Sequence, residues 1–223
     1  VQNTSVTILN VSVISTNSMS YGVYASSDYV TISSVNVDAG GNITQAGIRV
    51  SSFAALTYSS VTVFGAEGLR IEGNYNSASY INLVTSAPTK SALFLLAASS
   101  NSFNMIFSSN SAGHGAYLNS NSNYNTIIFS TMASNSPAVS GLIINNSDSN
   151  SVASSYVTNP SGHGLTFQTN SDYNRIVEST ITVNASSPFA VSIINADYNV
   201  VAGCSISNPL GIGARIATGA DYN

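Results

Sequence analysis

Charged residues are scarce in this chain of 223 residues: Asp, Glu, Lys and Arg make up 6% of it, against about 25% in an ordinary soluble domain. Five of them are basic, and the formal net charge is −4. A protein that binds nucleic acid needs rows of cations to contact the phosphates. We therefore expect no nucleic-acid partner.

Residues that bind metals or form cross-links are equally scarce. The chain has one Cys, two His and three Met, and no Asp-Asp or Asp-x-Asp sequence. A disulfide within the chain would need a second cysteine. Zinc and copper need converging His, Cys or Met ligands, and calcium needs six to eight converging oxygens. We expect no metal and no cofactor.

Long apolar segments and helical patterns are also missing. No window is long and apolar enough to predict a bilayer-crossing segment, so we expect no membrane insertion. Apolar residues recur at every second position, which is typical of strands, and helical spacing never persists. The alternation predicts an all-β protein.

What the chain does contain is a repeat. Nine times a small residue is followed by apolar residues one and three places on, at intervals of 21 to 26 residues. A period near 24 that runs from end to end predicts one short unit stacked on copies of itself. The nine small residues are Gly22, Gly47, Gly68, Ala92, Gly115, Gly141, Gly164, Ala190 and Gly213.

Two more short strand patterns precede most of these positions, as in Val30-Thr31-Ile32 and Val35-Asn36-Val37. Each unit is thus predicted to contain three strands joined by bends. Proline cannot donate to a strand ladder and belongs in a bend. All five prolines fall shortly before the third strand, at Pro88, Pro137, Pro160, Pro188 and Pro209.

Asparagine forms a further column, and stacked asparagines can pass an amide hydrogen bond from one turn to the next. We predict such a ladder at Asn104, Asn125, Asn150, Asn174, Asn199 and Asn223.

Motifs such as Gly68-Leu69-Arg70-Ile71, Asn174-Arg175-Ile176 and Val61-Thr62-Val63, repeated at this period, resemble the parallel β-helix repeats of the pectin-lyase-like superfamily. The resemblance implies a right-handed, single-stranded parallel β-helix of about nine turns of ~24 residues. It covers residues 1–223 as one domain. We expect one interior column to contain Val23, Ile48, Leu69, Leu93, Leu142, Leu165 and Val191.

The superfamily includes lyases, glycoside hydrolases, epimerases, tailspikes and adhesins, so the fold leaves the function open. Gly113-His114-Gly115 and Gly162-His163-Gly164 resemble the Gly-His-Gly of polygalacturonase-type hydrolases. That family's Asn-Thr-Asp, Asp-Asp and Arg-Ile-Lys are missing, and glycoside hydrolysis needs two neighbouring carboxyl groups. We interpret both histidines as residues of solvated bends, predict no catalytic residue, and favour a protein that is not an enzyme.

An outward row two residues after each small residue is the best candidate site. Aromatic and guanidinium groups there suit carbohydrate stacking and carboxylate recognition. The same stacking also stabilises an exposed sheet without any ligand. The predicted carbohydrate-binding residues are Tyr24, Arg49, Arg70, Phe94, Tyr117 and Arg215, in a row that also holds Ile143, Thr166 and Ser192.

Neither end of the repeat carries a recognisable cap, which predicts a segment of a longer array or a subunit that stacks end to end. In the second case Asp221-Tyr222-Asn223 would abut Val1-Gln2-Asn3 of a neighbour and build a filament. Our main hypothesis is a structural or adhesive rod of an extracellular or cell-surface protein. The alternative is a carbohydrate-active or carbohydrate-binding β-helix that takes a polysaccharide or other glycan.

Overall fold

The computed structural model describes residues 5–223, which form nine stacked coils of short strands. Coils one to five contain β1 (Val6–Leu9), β2 (Ser12–Val13), β3 (Met19–Ala25), β4 (Val30–Ser33), β5 (Asn36–Gly40), β6 (Ile43–Val50), β7 (Ala55–Thr57), β8 (Ser60–Val63), β9 (Glu67–Ile71), β10 (Ser77–Thr85), β11 (Ser91–Leu96), β12 (Ser102–Asn110) and β13 (His114–Asn119).

Coils six to nine continue the pattern with three strands each. They contain β14 (Thr126–Ile128), β15 (Thr131–Ser134), β16 (Ser140–Asn145), β17 (Ser151–Ala153), β18 (Tyr156–Asn159), β19 (His163–Gln168), β20 (Arg175–Val177), β21 (Thr180–Val183), β22 (Phe189–Ile194), β23 (Val200–Ala202), β24 (Ser205–Ser207) and β25 (Ile212–Ile216). Residues 5–223 include no helix long and apolar enough to span a membrane.

Equivalent strands of adjacent coils pair in parallel. Val6 pairs with Val30, and Leu93 with Leu69, one repeat apart in each case. The third strands form a nine-stranded sheet, and the others form a sixteen-stranded sheet. The predicted parallel β-solenoid of about nine turns is confirmed.

The predicted interior column is confirmed as well, because alternation along each strand turns its apolar residues inward. All seven members are buried: Val23, Ile48, Leu69, Leu93, Leu142, Leu165 and Val191.

Close approach of the two sheets explains the small residue at the start of the third strand. A Cβ at Gly47 would lie 2.2 Å from Cγ1 of Val61.

The asparagine ladder exists, but one predicted member is wrong. Asn125 N–H and Nδ2 both donate to Oδ1 of Asn150, at 2.9 and 3.0 Å. Asn101 occupies the predicted place of Asn104 and makes the same contacts to Asn125. Asn104 lies three residues further on, in β12, where it pairs with Ile128. The ladder contains Asn76, Asn101, Asn125, Asn150, Asn174, Asn199 and Asn223.

All five prolines lie in turns or bends, as predicted. The predicted contact surface at Val1-Gln2-Asn3 lies outside the described residues.

Candidate functional site

The outward row of the nine-stranded sheet is continuous, because each member pairs with the next in register. Tyr24 pairs with Arg49, Phe94 with Tyr117, and Ser192 with Arg215. The six predicted residues therefore share one face of the molecule. They fall into two groups with different surroundings.

Coils two to four carry an ion-pair cluster. Glu72 lies between Arg49 and Arg70 and forms an ion pair with each. Glu67 is 4% exposed and lies 3.1 Å from Arg70 and 3.6 Å from Lys90. Both guanidinium groups are thus already neutralised by carboxylates of the chain itself.

Those arginines also contact aromatic rings. Cζ of Arg49 lies 4.8 Å from the ring centroid of Tyr24, and Cζ of Arg70 lies 5.3 Å from that of Phe94. The Tyr21 hydroxyl accepts a hydrogen bond of 2.8 Å from Arg49. Cation–π contacts and ion pairs together hold these side chains against the sheet.

The row becomes a depression beyond Tyr117, where its side chains are smaller than the aromatic and arginine side chains of the earlier coils. Ile143 and Thr166 are 6% exposed and Ser192 is 2% exposed, although all three point away from the core; Tyr24 in the same row is 52% exposed. The larger residues around them enclose a cleft of about 380 Å³. Its lining includes His114, Ser140, His163, Gln168, Phe189, Ile194 and Arg215.

Both histidines lie in this cleft, at the first positions of β13 and β19, and not in the solvated bends we expected. Nδ1 of His114 accepts the backbone N–H of Ser140 at 3.1 Å. Nδ1 of His163 accepts that of Phe189, also at 3.1 Å. In a neutral ring the proton is then on Nε2, which leaves one N–H donor for a ligand.

Burial lowers the pKa of both His114 and His163, because an imidazolium loses hydration there. The positive charge of Arg215 acts on His163 in the same direction. Burial also raises the pKa of the Tyr117 phenol, beside His114. Both histidines and this phenol are therefore neutral near pH 7.

Arg215 closes the end of the cleft on the ninth coil. Its Cζ lies 5.0 Å from the ring centroid of Phe189, and that ring stacks on His163 at 5.5 Å. Within residues 5–223 Arg215 forms no ion pair, and the described lining of the cleft contains no carboxylate. The site combines one unneutralised cation with hydroxyl, amide and imidazole groups.

Ser140, Gln168 and Phe189 are cleft residues that were not predicted from the sequence. Ser140 and Phe189 belong to a second outward row, one residue before each small residue, and this position could have been found from the repeat. In the part of the chain that the structure describes, no group of three or more His, Cys, Asp or Glu side chains could hold a metal ion.

A single-stranded parallel β-helix with a cleft on the outer face of one sheet is the class of protein defined here. The parallel pairing of equivalent strands is the parallel β-helix predicted from the sequence. No family model and no curated protein sequence matches the chain.

Solved structures do resemble it. The mannuronan C-5 epimerase AlgE6 A-module of Azotobacter vinelandii aligns with a TM-score of 0.51 and 10% identity, over 89% of this chain and 64% of that one. The periplasmic alginate epimerase AlgG aligns at 0.48 and 14% identity, over 87% of this chain and 50% of its own. Pectate lyase Pel9A aligns at 0.41 and 14%, over 88% and 70%. At such identities the likeness concerns the fold.

Proposed function

We propose that this protein binds an acidic polysaccharide along the outer face of its nine-stranded sheet, with the cleft between His114 and Arg215 as the main subsite. The observation that carries the proposal is Arg215, which has no carboxylate partner among residues 5–223. It lies at the end of a cleft whose other described lining residues are uncharged near pH 7 and include three hydroxyl groups. A guanidinium recognises a planar carboxylate through paired donors.

The rest of the cleft suits the hydroxyl groups of a sugar. Oγ of Ser140 and Oγ1 of Thr166 lie 2.9 Å apart, and each can also bond a ligand hydroxyl. Nε2 of both histidines supplies a donor, and Gln168 supplies both kinds of group. Phe189 adds an apolar surface for a sugar ring.

The remaining predicted binding residues extend the surface along the coil axis. Because Glu67 and Glu72 neutralise Arg49 and Arg70, we assign these arginines to orienting the aromatic rings beside them. Tyr24, Phe94 and Tyr117 would then contact the apolar faces of sugars. A polysaccharide that follows the sheet would pass all of these positions.

The fold comparison is consistent with this ligand class, since the AlgE6 A-module is named for mannuronan, a polymer of an acidic sugar. We do not assign epimerase activity to this chain, because its identity to that module is 10%. Because the described lining of the cleft contains no carboxyl group, and glycoside hydrolysis needs two, we propose binding and not hydrolysis. We also propose an extracellular or cell-surface location, because the low charge and the abundance of Ser and Asn fit an exported protein.

Calorimetric titration with oligomers of polymannuronate, polygalacturonate and a neutral glucan tests the proposal. We expect at least one acidic oligomer to bind and the neutral glucan not to. Arg215→Gln should weaken binding about tenfold, the loss typical of one charged contact. Arg175→Gln, an exposed arginine on the other sheet, is the matched control and should leave binding unchanged.

A second variant tests the cleft itself. Ser192→Tyr places a large side chain at the row position that Phe94 and Tyr117 occupy elsewhere, so the fold should tolerate it while the cleft is filled. Full binding by this variant, or equal losses in Arg215→Gln and Arg175→Gln, would overturn the proposal. Turnover of a glycan that His163→Ala abolishes would show instead that the cleft is catalytic.

A structural rod is the second candidate. Ile206, Ile212 and Ile216 of the ninth coil are 38%, 55% and 60% exposed, and a further coil would cover them. Either a longer chain or a second molecule could supply that coil. Concentration-dependent association of the 223-residue chain, blocked by Ile212→Asp and Ile216→Asp, supports stacking. A monomer at every concentration contradicts it.

A further inference from the structure

A column of bend residues follows the nine-stranded sheet, one position before the asparagine ladder. All its members have left-handed backbone conformations, with φ between 55° and 61°. Most are aromatic and exposed. In chain order they are Tyr29, Phe53, Tyr75, Ser100, Tyr124, Ser149, Tyr173, Tyr198 and Tyr222.

We call these nine positions the tyrosine column. Neighbouring rings within it stack on one another. Tyr29 and Phe53 have centroids 4.9 Å apart, and Phe53 and Tyr75 lie 5.2 Å apart. Tyr198 lies 4.9 Å from both Tyr173 and Tyr222, with interplanar angles of 3° and 5°. The ring spacing repeats the spacing of strands in a sheet, about 4.8 Å.

Two positions of the column lack a ring although the backbone continues unchanged. Ser100 N–H donates to the carbonyl of Asn123 at 2.9 Å, and Ser149 N–H donates to that of Asp172 at 2.9 Å. Tyr124 N–H makes the equivalent bond to Asp148 at 3.1 Å. The serines therefore occupy regular positions of the column. Each leaves the flanking tyrosines two coils apart, so that the gap between their rings is about 10 Å wide.

Exposure indicates that the gaps are open. The three tyrosines that border them, Tyr75, Tyr124 and Tyr173, are 60%, 66% and 59% exposed. Phe53 and Tyr198, which have a ring on both sides, are 40% and 43% exposed. Tyr75, Tyr124 and Tyr173 thus leave more of their surface uncovered than Phe53 and Tyr198 do.

We propose that each gap binds one planar aromatic ring of a small molecule, inserted between Tyr75 and Tyr124 or between Tyr124 and Tyr173. An aromatic ring in the gap would lie about 4.8 Å from each flanking tyrosine ring. Neighbouring rings of the column are already separated by about that distance. Stacked aromatic pairs prefer centroid separations of about 4.5–7 Å. A sugar ring, with C–H and O–H groups on both faces, is thicker and more hydrated than an arene and fits this step less well.

The chain itself offers matched variants. The double substitution Ser100→Tyr/Ser149→Tyr places a ring in both gaps. Tyrosine already has this φ at six other positions of the column. Tyr124→Ser removes the ring shared by both gaps and uses a residue that the column tolerates. Tyr58→Ser is the control, because it breaks a separate stack with Tyr80 at 4.9 Å.

The experiment uses p-cresol, which is the tyrosine side chain as a free molecule, and methyl glucoside as the sugar probe. Saturation-transfer NMR and chemical-shift titration report binding. We expect p-cresol to bind and methyl glucoside not to compete. The Ser100→Tyr/Ser149→Tyr variant and Tyr124→Ser should each weaken p-cresol binding at least tenfold, while Tyr58→Ser should not.

The filled variant should also melt at a higher temperature, which confirms that it is folded. Unchanged p-cresol binding in that variant overturns the proposal, as does a methyl glucoside that displaces p-cresol from the wild-type protein. Polysaccharide binding at the cleft involves none of these residues. The proposal for the cleft and the proposal for the gaps are therefore tested independently.

Discussion

The side-chain amide of Asn125 donates to Oδ1 of Asn150 at 3.0 Å, one coil further along the solenoid. The same oxygen accepts the backbone N–H of Asn125 at 2.9 Å. Both residues are buried. One acceptor thus satisfies two buried donors, and the repetition of this contact ties the interior of one bend together along most of the molecule.

Asn101→Ala should lower the free energy of unfolding by about 1–3 kcal/mol, because it removes the acceptor of the Asn76 backbone N–H and of one of its two side-chain N–H groups. Chemical denaturation measures the change. The control is Asn104→Ala, since Oδ1 of Asn104 lacks a hydrogen-bond partner in residues 5–223. We expect it to cost less than about 1 kcal/mol; equal losses would refute the assignment of Asn101 to the ladder.

Leu165→Ala should lower the free energy of unfolding by about 2–5 kcal/mol, the usual range for a cavity in a packed core. Leu165 is fully buried in the column of the nine-stranded sheet. Leu210→Ala is the matched control, because Leu210 is 61% exposed. Thermal and urea denaturation compare them, and a small effect of Leu165→Ala would mean that the register is wrong.

Glu67→Gln should destabilise the protein by about 1–3 kcal/mol, because it removes the buried carboxylate between Arg70 and Lys90. The effect should be insensitive to salt, as expected for a poorly screened buried group. Asp28→Asn, at an exposed acid, should change stability little. Urea denaturation at low and high salt gives both values; a loss that vanishes at high salt would contradict burial of the pair.

Acid should destabilise the fold through His114 and His163. Because burial lowers the pKa of each in the folded state, the unfolded chain binds more protons just below its own pKa of about 6.5. Their contribution to stability is therefore complete above that pH and is lost as pH falls toward the folded values.

Stability measured from pH 8 to pH 5 in the wild type and in His114→Gln/His163→Gln checks this sign. The double variant should have the flatter profile across that window, since glutamine can still accept the backbone N–H but does not titrate. Parallel profiles would show that the histidines are not protected from protonation.

Much of the fold followed from the sequence alone. Alternation of apolar residues with a period of two, repeated near every 24 residues, specifies which side chains stack inside, because only one register buries Leu69, Leu93 and Leu165 together. Proline confirmed the bends, since it lacks the donor that a paired strand needs. The outward row from Tyr24 to Arg215 could be read from the same repeat.

The tertiary structure alone decided the chemistry of that row. Arg49 and Arg215 have the same repeat position, yet Glu72 neutralises the first, while the second has no such neighbour in the described chain. The cleft likewise depends on a fall in side-chain size across Ile143, Thr166 and Ser192, enclosed by residues of adjoining coils. A repeat in the sequence identifies equivalent positions. It does not specify which charged side chains pair or where a depression forms, because both depend on contacts between side chains of different coils.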